Sequence, residues 1–586
     1  MEPLRLALIS ALAVVTYLLF LQWQEDYGRP TIPPEQTISA SVDSAVENIT
    51  DGSRVSHDIV ADAPSAQDES LQEDLPDVSA PTAATSNLVE ETIAAPSEDL
   101  ISVETDIFSI KIDPRGGDIV YAALKKYPIA VEYPDNPFVL LNNTSAFTYV
   151  AQSGVIGPKR TDMDSKSRPL YFVDRSEFKL EGDTLIVPLT YQVSDFITAK
   201  KTFTFNADDY SINVQHQINN QSANPWQGIF FAQIKRDGSK DPGISDAGGF
   251  GLPTYLGAAY WKPDEKYNKL GFDDIADAQA ENRKALNETI QGGWVALIQH
   301  YFLSAWIPNK DQNHKYTSKV NSRGQYIVGL TSQPVVVQPG TSETISSTFY
   351  VGPKIQKNLE ALSDGLNLAI DYGFLFFISD FLFMVLSGIH TYVVANWGWA
   401  IILLTVLVKL AFYPLSAASY RSMANMRRMQ PELVRLKERY GDDRQAMSQA
   451  MMKLYKEEKI NPLGGCLPIL LQMPVFLALY WALLESVELR HAEWIGWIKD
   501  LSEMDPYFIL PVLMGASMFF QQKLNPTPPD PMQAKVMQFM PIIFTVFFLF
   551  FPAGLVLYWL TNNILSIAQQ WYITNQIESE AAAKKK

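Results

Sequence analysis

The sequence predicts an α-helical polytopic membrane protein with five transmembrane helices and an all-β sandwich domain outside the membrane. The apolar residues are concentrated in runs of spanning length, at residues 4–23 and after residue 373. Between residues 101 and 350, apolar and polar residues instead alternate with a period of two, which is typical of half-buried strands. With 586 residues, the chain is also too long for one ordinary domain.

The N-terminal part is predicted to be an anchor followed by a tether. Residues 1–24 hold an apolar run with no small-residue cleavage site after it, which predicts an uncleaved signal-anchor helix with its N-terminus in the cytoplasm. Residues 25–100 are rich in Ser, Ala, Pro and acids, and after residue 30 they contain a single basic residue, Arg54. Such a composition predicts a disordered acidic linker. The net charge of −17 argues against a nucleic-acid partner.

Residues 101–352 are predicted to form the β-sandwich domain. Leu185, Val187 and Leu189 alternate with more polar residues, and turn signals such as residues 113–118 separate the alternating runs. His216 is in phase with the apolar face of its run, so we expect a hydrogen-bonded core histidine and not a catalytic one. No pair of carboxylates indicates a shared site in this domain.

Residues 353–395 are predicted to form a polar helix followed by an amphipathic helix in the membrane interface. Asp380 and His390 interrupt the apolar pattern of residues 374–394. If that stretch crossed the bilayer, the basic segment 419–460 would lie on the same side as the acidic domain. Because short basic loops stay in the cytoplasm, the charge distribution favours an interfacial helix.

Residues 396–571 are predicted to form the helical core. Its spans 2–5 are the apolar runs 397–415, 466–484, 507–520 and 537–560. They are connected by a cytoplasmic helical hairpin (418–463), an outer loop (486–505) and a cytoplasmic turn (524–535), and a basic tail (572–586) follows. The charge pattern places both chain termini in the cytoplasm. The hairpin is predicted to consist of two helices that meet at Gly441, with Asp442 or Asp443 capping the second.

One residue of the second span, Lys409, is expensive to place in a membrane. A lysine at the centre of a spanning helix costs about 2.5–3.5 kcal/mol on insertion scales. Two explanations are open from the residues alone. The side chain either snorkels towards the nearer interface, or it faces a wet cavity within the membrane.

The sequence contains no sign of a cofactor, a metal site or a catalytic centre. Cys466 is the single cysteine, which excludes an internal disulfide. The six histidines are scattered without metal-ligand spacing, and there is no P-loop motif for a nucleotide.

Long motifs give the core a family resemblance. The stretches NPLGGCLPILLQMPVFLALYWALLESVELR (461–490) and DPMQAKVMQFMPIIFTVFFLFFPAGLVLYWLTNNILSIAQQ (530–570) resemble the YidC/Oxa/Alb family of membrane protein insertases. So does DLSEMDPYFILPVLMGASMFFQQKLNP (500–526). FSIKIDPRGGDIVYAALKKYP (108–128) resembles the periplasmic domain of the Gram-negative members. The resemblance implies a β-supersandwich in the periplasm and an inner-membrane core with a groove that is open to the cytoplasm and to lipid.

The same resemblance implies which residues do the work. By motif, Lys409 is the positive residue of the groove, although the family usually has arginine at this point. The implied groove or client-binding residues are Lys409, Thr405, Gln472, Tyr558, Trp559 and Asn562. The hairpin residues expected to recruit clients are Tyr420, Arg427, Arg428, Met423 and Met426.

The expected function is non-enzymatic insertion and folding of inner-membrane proteins. The resemblance implies nascent membrane proteins as clients, and the Sec translocon, its accessory subunits and ribosome–nascent chain complexes as partners within the lipid bilayer. Two rival hypotheses are a solute transporter with a sugar-binding outer domain and a membrane-anchored sugar-modifying enzyme. A transporter would be supported by internal repeats or paired broken helices, and the sequence has neither.

Overall fold

The structure is a computed structural model, and it describes residues 74–76, 99–157, 168–240, 254–441, 443–457, 467–525 and 531–585. The predicted first span and nearly all of the predicted linker lie outside these residues. The described part of the chain consists of a β domain followed by a helical region.

The β domain consists of two sheets that pack face to face. Within the described residues, one sheet has eleven strands and the other has eight, and β1 with β6 is a parallel pair within otherwise antiparallel sheets. The larger sheet runs β13-β16-β17-β10-β5-β4-β3-β2-β1-β6, with β18 on β10, and the smaller runs β12-β11-β14-β15-β19-β9-β8-β7. The strands are β1 Ile101–Glu104, β2 Phe108–Asp113, β3 Asp118–Pro128, β4 Pro137–Asn143, β5 Thr148–Ile156, β6 Glu177–Lys179, β7 Thr184–Ser194, β8 Ile197–Asn206, β9 Ser211–Asn220, β10 Trp226–Arg236, β11 Gly257–Lys262, β12 Lys266–Leu270, β13 Asn287–Gln291, β14 Trp294–Ile298, β15 Phe302–Pro308, β16 Asn313–Val320, β17 Tyr326–Ser332, β18 Val335–Val337 and β19 Thr341–Pro353.

The alternating pattern of the sequence is confirmed in β7 and β9. In β7, Leu185, Val187 and Leu189 are buried between the sheets, whereas Ile186 is exposed. His216 is buried in β9 with its Nε2 3.2 Å from the Ser153 hydroxyl, as expected for a core histidine. Its burial and the nearby charge of Lys201 keep the pKa of His216 well below the usual value, so the ring is neutral in the core.

The turn signal at residues 113–118 also forms the predicted turn. The Asp113 carboxylate accepts a hydrogen bond from the backbone N–H of Arg115, and both Gly116 and Gly117 have positive φ. The ammonium of Lys201 lies beneath this turn and donates to the carbonyls of Gly116, Gly117 and Ser153 at 3.1, 2.7 and 2.9 Å. A buried lysine is thus fully satisfied by backbone oxygens.

The helical region contains one helix inserted in the β domain and a series after it. The helices are α1 Phe272–Ala280, α2 Gln356–Leu362, α3 Phe376–Tyr392, α4 Trp397–Ala411, α5 Tyr413–Arg428, α6 Gln430–Tyr440, α7 Arg444–Glu457, α8 Leu467–Glu485, α9 Ile509–Leu524, α10 Pro531–Phe548 and α11 Ala553–Lys585. Two short 3-10 turns, Leu366–Ala369 and Gly373–Leu375, connect α2 to α3.

The predicted second span, 397–415, contains the end of one helix and the start of the next. Helix α4 ends at Ala411, and α5 begins at Tyr413 with an axis bent by 69°. Pro414 sits in the first turn of α5, where a missing N–H costs nothing. With 15 residues, α4 is only about 22 Å long, which is shorter than a typical hydrocarbon core of about 30 Å.

The hairpin has the helix boundary predicted at Gly441, and it has a second boundary that was not predicted. Its second helix begins after Gly441, and the Asp443 carboxylate accepts from the N–H groups of Gln445 and Ala446, so Asp443 is the cap. The predicted first helix is divided at Met429 into α5 and α6.

The predicted fifth span, 537–560, covers parts of two helices. The structure ends α10 at Phe548 and starts α11 at Ala553. Pro552 explains the break, since the residue before a proline avoids the helical conformation and proline is accepted at a helix start.

By length and composition, one described helical segment, Gly373–Tyr392, could cross a membrane unaided, and the bent pair α4–α5 could form a broken span. The first of these segments contains α3, for which the sequence predicts an interfacial position. That position stays a prediction. α3 packs against α4 and α8 with its buried side, and it exposes Phe377, Phe381 and Met384 on the other.

The β domain is joined to the helical region by a buried ion pair. The Lys354 ammonium lies 2.7 Å from the Glu485 carboxylate at the end of α8, and the two side chains are 1% and 4% exposed. His300 of the β domain also contacts the carbonyl of Leu484 at 2.9 Å through its Nε2. This junction fixes the outer end of α8 against the sandwich.

Candidate functional site

The central residue of the candidate site is Lys409, in the last turn of α4. Its ammonium donates to the hydroxyl of Ser566 in α11 at 2.6 Å, and the residue is 7% exposed. Lys409 lies twelve residues, or about 18 Å, from the outer end of α4. The side chain is therefore directed at a neighbouring helix and is nearly closed off from the surface.

Thr405 lies one turn before Lys409 on the same face, as the spacing predicts. It is buried, and its hydroxyl donates back to the carbonyl of Ile401 at 2.7 Å. That bond satisfies the hydroxyl donor within α4, but it leaves the oxygen able to accept.

Ser566 is a residue that the sequence reasoning missed. It accepts from Lys409, donates to the Asn562 carbonyl at 2.7 Å, and also bonds to the side chain of Tyr420 in α5. Tyr420 is thus a buried part of this site, and its predicted role in recruiting clients stays a prediction. One hydroxyl joins α4, α5 and α11.

Ser566 belongs to a polar stripe along α11. Asn563, Ser566 and Gln570 are all buried and follow one another at intervals of three and four, which places them on one helix face. Asn563 donates to the hydroxyl of Ser517 in α9 at 3.3 Å, and Gln570 donates to Asn525 at 3.0 Å. This spacing within an apolar region was the sequence signal that could have identified Ser566.

Tyr558 and Trp559 form an aromatic cluster farther out along α11. Phe476 of α8 stacks on Tyr558 with ring centroids 6.5 Å apart and meets Trp559 edge-on at 4.3 Å. Phe548 of α10 contacts Trp559 at 5.3 Å. The Nε1 of Trp559 is buried without a hydrogen-bond partner among the described residues. These two residues pack three helices together, about two turns from Ser566.

The other predicted residues are less enclosed. Gln472 and Asn562 are half-buried, on α8 and α11 respectively. Arg427 and Arg428 are exposed at the end of α5, while Met426 is half-buried. Met423, another residue predicted to recruit clients, packs with the buried cluster of Tyr420 and Ile573, where the hairpin meets α11.

The outer end of the core is closed by the loop of residues 486–505. Asn396 caps α4 through the N–H of Trp399 and also donates to the carbonyl of Glu493 in that loop. The start of α11 is bound likewise, since the N–H of Ala553 donates to the carbonyl of Glu503 at 2.7 Å. Trp494 lies so close to Gly398 that a side chain there would collide with it. The site at Lys409 is therefore sealed on the outer side.

The arrangement provides a positive charge among neutral hydrogen-bonding groups. Such a group attracts carboxylates. Within the described residues, no cluster of three His, Cys, Asp or Glu side chains could hold a metal ion.

Two family models of known proteins match successive parts of the chain. Residues 100–385 match the family model described as the YidC periplasmic domain, and residues 388–580 match that of the 60Kd inner membrane protein. The membrane protein insertase YidC of Azotobacter vinelandii is 51% identical over 586 residues, covering 99% of this chain and all of the relative. That of Stutzerimonas stutzeri is 52% identical over 583 residues, with the same coverage.

The chain belongs to the YidC family of membrane protein insertases. The family is one of inner-membrane proteins with a periplasmic domain, and it is not a class of catalytic enzymes. A solved structure, an active YidC insertase with its first transmembrane domain resolved, is 18% identical and covers 82% of this chain and 93% of its own, with a TM-score of 0.35. The assignment rests on the sequence relatives. The transporter hypothesis has no support among them.

Proposed function

We propose that this insertase receives a client helix where α4, α5 and α11 meet, and that Lys409 binds carboxylates of the client's outward-bound flank. The observation that carries the proposal is the buried ammonium with a neutral hydroxyl as its partner at 2.6 Å. An ammonium has three donors, so this bond leaves capacity for a client carboxylate.

The remaining predicted residues lie along the proposed path of the client. Thr405 offers an acceptor one turn above Lys409, and the aromatic cluster of Tyr558 and Trp559 provides a broad surface for an apolar helix. Gln472 and Asn562 add polar groups on α8 and α11. Together they would receive the client's polar flank before its apolar part moves into lipid.

Electrostatics supplies the reason for a lysine at this depth. A charged group is costly at the bilayer centre, and an opposite charge within the core lowers that cost for a client carboxylate. The membrane potential adds about 2.3 kcal/mol per charge at 100 mV, and it drives negative flanks outward. Client hydrophobicity supplies the rest, so no nucleotide hydrolysis or other catalysed reaction is needed.

The exposed hairpin is proposed as the first point of contact in the cytoplasm. Arg427 and Arg428 are exposed at the end of α5. The same helix contains Tyr420, which bonds to Ser566. Ribosomes that carry nascent chains, and the Sec translocon with its accessory subunits, are the partners we propose for larger clients.

The divided fifth span supports a cytoplasmic position for both termini. Five crossings would place the two ends of the chain on opposite sides. The predicted first span together with α4, α8, α9, α10 and α11 gives six, which returns the C-terminal tail to the cytoplasm. This count agrees with the charge rule, since the tail ends in three lysines.

The test is insertion of a single-span client into proteoliposomes that contain the purified chain. One client carries two Asp residues in its translocated flank, and a matched client carries Asn at both positions. Loss of a hydrogen bond to a charged group costs about 1.5–3 kcal/mol, so Lys409→Ala should slow the acidic client about tenfold or more. The matched client should be nearly unaffected, and Lys409→Arg should retain both activities.

Lys499→Ala is the control, because Lys499 is an exposed lysine of the outer loop. It should insert both clients at the unaltered rate. If Lys409→Ala slowed neither client relative to the other, the lysine would not bind client carboxylates, and the proposed role would be withdrawn.

A further inference from the structure

A short piece of the acidic N-terminal segment lies against the β domain. Residues Asp74 to Pro76 rest on the outer face of the larger sheet, more than twenty residues before β1, and Asp74 and Leu75 are 6% and 8% exposed. The face is formed by β5, β10 and the end of β16. An acidic residue of a chain segment with this composition is ordinarily solvated, so its burial here requires specific partners.

Every oxygen of Asp74 has a partner on this face. We call the contacting residues Gln233, Lys235, Lys319 and Asn321, with the apolar Ile156 and Phe231, the seat. The Lys235 ammonium lies 2.6 Å from one carboxylate oxygen, and the Asn321 amide donates to the other at 2.7 Å. The Gln233 amide donates to the Asp74 carbonyl at 2.6 Å. The Lys319 ammonium donates to the next carbonyl, that of Leu75. The seat thus binds both the carboxylate of Asp74 and the backbone carbonyls of Asp74 and Leu75.

The apolar part of the seat receives the next side chain. Leu75 packs in a separate small cluster with Ile156 of β5 and Phe231 of β10. Neighbouring residues of β10, such as Phe230 and Ala232, instead join the core between the sheets. Phe231 therefore points outward, and Leu75 covers it.

Other residues of the domain hold the seat in shape. The amide of Gln152 donates to the Asp118 carboxylate at 2.8 Å, and its oxygen accepts from Gln233 at 3.0 Å. Arg168 pairs with the same carboxylate. Because this network orients Gln233 without any contribution from Asp74, the recognition site is organised by the sheet itself.

We propose that the outer face of the larger sheet carries a binding site for a short acidic peptide of the type Asp-Leu-Pro, and that Asp74–Pro76 occupies it as an internal ligand. The site is separate from the client site in the helical core and does not depend on the proposed role of Lys409. Charge complementarity supports the occupant, since the stretch DESLQEDLPD (68–77) has five acids and no basic residue, whereas the seat presents Lys235 and Lys319.

The first test measures protection of the internal ligand in the full-length chain. Leu75→Cys in a Cys466→Ser background is treated with a maleimide, and its labelling rate is compared with that of the same chain carrying Lys235→Ala. Truncation of one partner of a buried charge pair weakens binding about 30-fold or more, so labelling should accelerate at least tenfold. Lys315→Ala is the control, because Lys315 is an exposed lysine of the same sheet. Equal rates in all three chains would overturn the proposal.

The second test asks whether the seat binds the peptide when it is added separately. The full chain with Asp74→Ala and Leu75→Ala leaves the seat vacant, and a fluorophore on Ser322→Cys, in the Cys466→Ser background, reports on the adjacent Asn321. A tethered segment has an effective concentration in the millimolar range, so a ligand that occupies the seat in cis must bind with a Kd of about 1 mM or lower.

A synthetic peptide of residues 68–82 should therefore give a saturable signal below about 5 mM. The same peptide with Asn for Asp74 and Ser for Leu75 should give none. The chain with its own Asp74 and Leu75 should need at least several-fold more peptide, because the internal ligand competes. No saturation with the vacant chain, or the same curve with both peptides, would refute a peptide site.

Discussion

Two buried lysines, one at the domain junction and one in the helical core, have different hydrogen-bond partners. Lys354 lies 2.7 Å from the carboxylate of Glu485 and within 3.5 Å of the Ala369 carbonyl, with its side chain 1% exposed. Lys409 is also buried, but its partner is the neutral hydroxyl of Ser566. The junction lysine has its charge neutralised inside the protein, whereas the core lysine keeps a charge that a further anion can neutralise.

We propose that the difference separates a structural charge from a functional one. A buried ion pair with good geometry repays the loss of hydration only when both partners remain, and it fixes one relative position of the groups it joins. A lysine with a neutral partner is a poor element of stability and a good site for a transient ligand. We therefore expect changes at the junction to act on stability, and changes in the core to act on insertion.

The largest expected effect is the loss of one partner at the junction. Glu485→Ala should lower the free energy of unfolding by about 3–5 kcal/mol, because Lys354 would be left charged and unpaired in a dry site. Thermal unfolding in detergent measures the change. The double variant Lys354→Met/Glu485→Leu should recover most of the loss, since an apolar pair of similar volume is often tolerated. Failure of the double variant to recover would mean that the pair itself supplies net stability.

A pH titration sharpens the same contrast at the junction. Burial, with the charge of Lys354 nearby, lowers the pKa of His300 to about 3 from an ordinary value of 6.5. Between these values the unfolded chain binds a proton that the folded chain does not, so the contribution of neutral His300 is present above pH 6.5 and is lost towards pH 3. From pH 6.5 to 5, stability should fall by about 2 kcal/mol on this account.

His300→Gln should remove that part of the acid sensitivity while leaving insertion at pH 7 unchanged. Denaturant unfolding of both chains at pH 5.0 and 6.5 measures it. The control is His57→Gln, because His57 belongs to the acidic N-terminal segment, which precedes the β domain in the sequence. The same pH dependence in the two variants would show that water reaches the junction, and the distinction drawn here would fail on that side.

The smallest expected effect concerns the partner of the core lysine. Ser566→Ala removes one neutral hydroxyl and should cost about 1.5 kcal/mol in stability, the low end of the range for a hydrogen bond to a charged group. Because Lys409 keeps its charge, we expect insertion of the acidic client to fall less than in Lys409→Ala. Ser517→Ala, at another buried serine bonded to the same stripe of α11, is the matched variant and should leave the ratio of acidic to neutral client rates unchanged. A larger loss of insertion in Ser566→Ala than in Lys409→Ala would assign the main role to the hydroxyl.

The sequence by itself determined the features that local patterns encode. A period of two identified the strands of the sandwich and placed His216 in its core, and the helix boundary at Gly441 followed from residue type alone. The expensive lysine in the second span was visible as well. Each of these depends on neighbours a few residues apart, where the side-chain chemistry and backbone preferences act directly.

Tertiary structure decided the partners. Ser566 lies 157 residues from Lys409, Glu485 lies 131 from Lys354, and Asn321 lies 247 from Asp74, so no local pattern could pair them. The continuous apolar run 537–560 likewise concealed two helices, although Pro552 marked the break. Hydrophobicity favours removal of these segments from water, but it is non-directional. Which polar group meets which depends on how the packed helices and sheets bring distant residues into hydrogen-bonding distance.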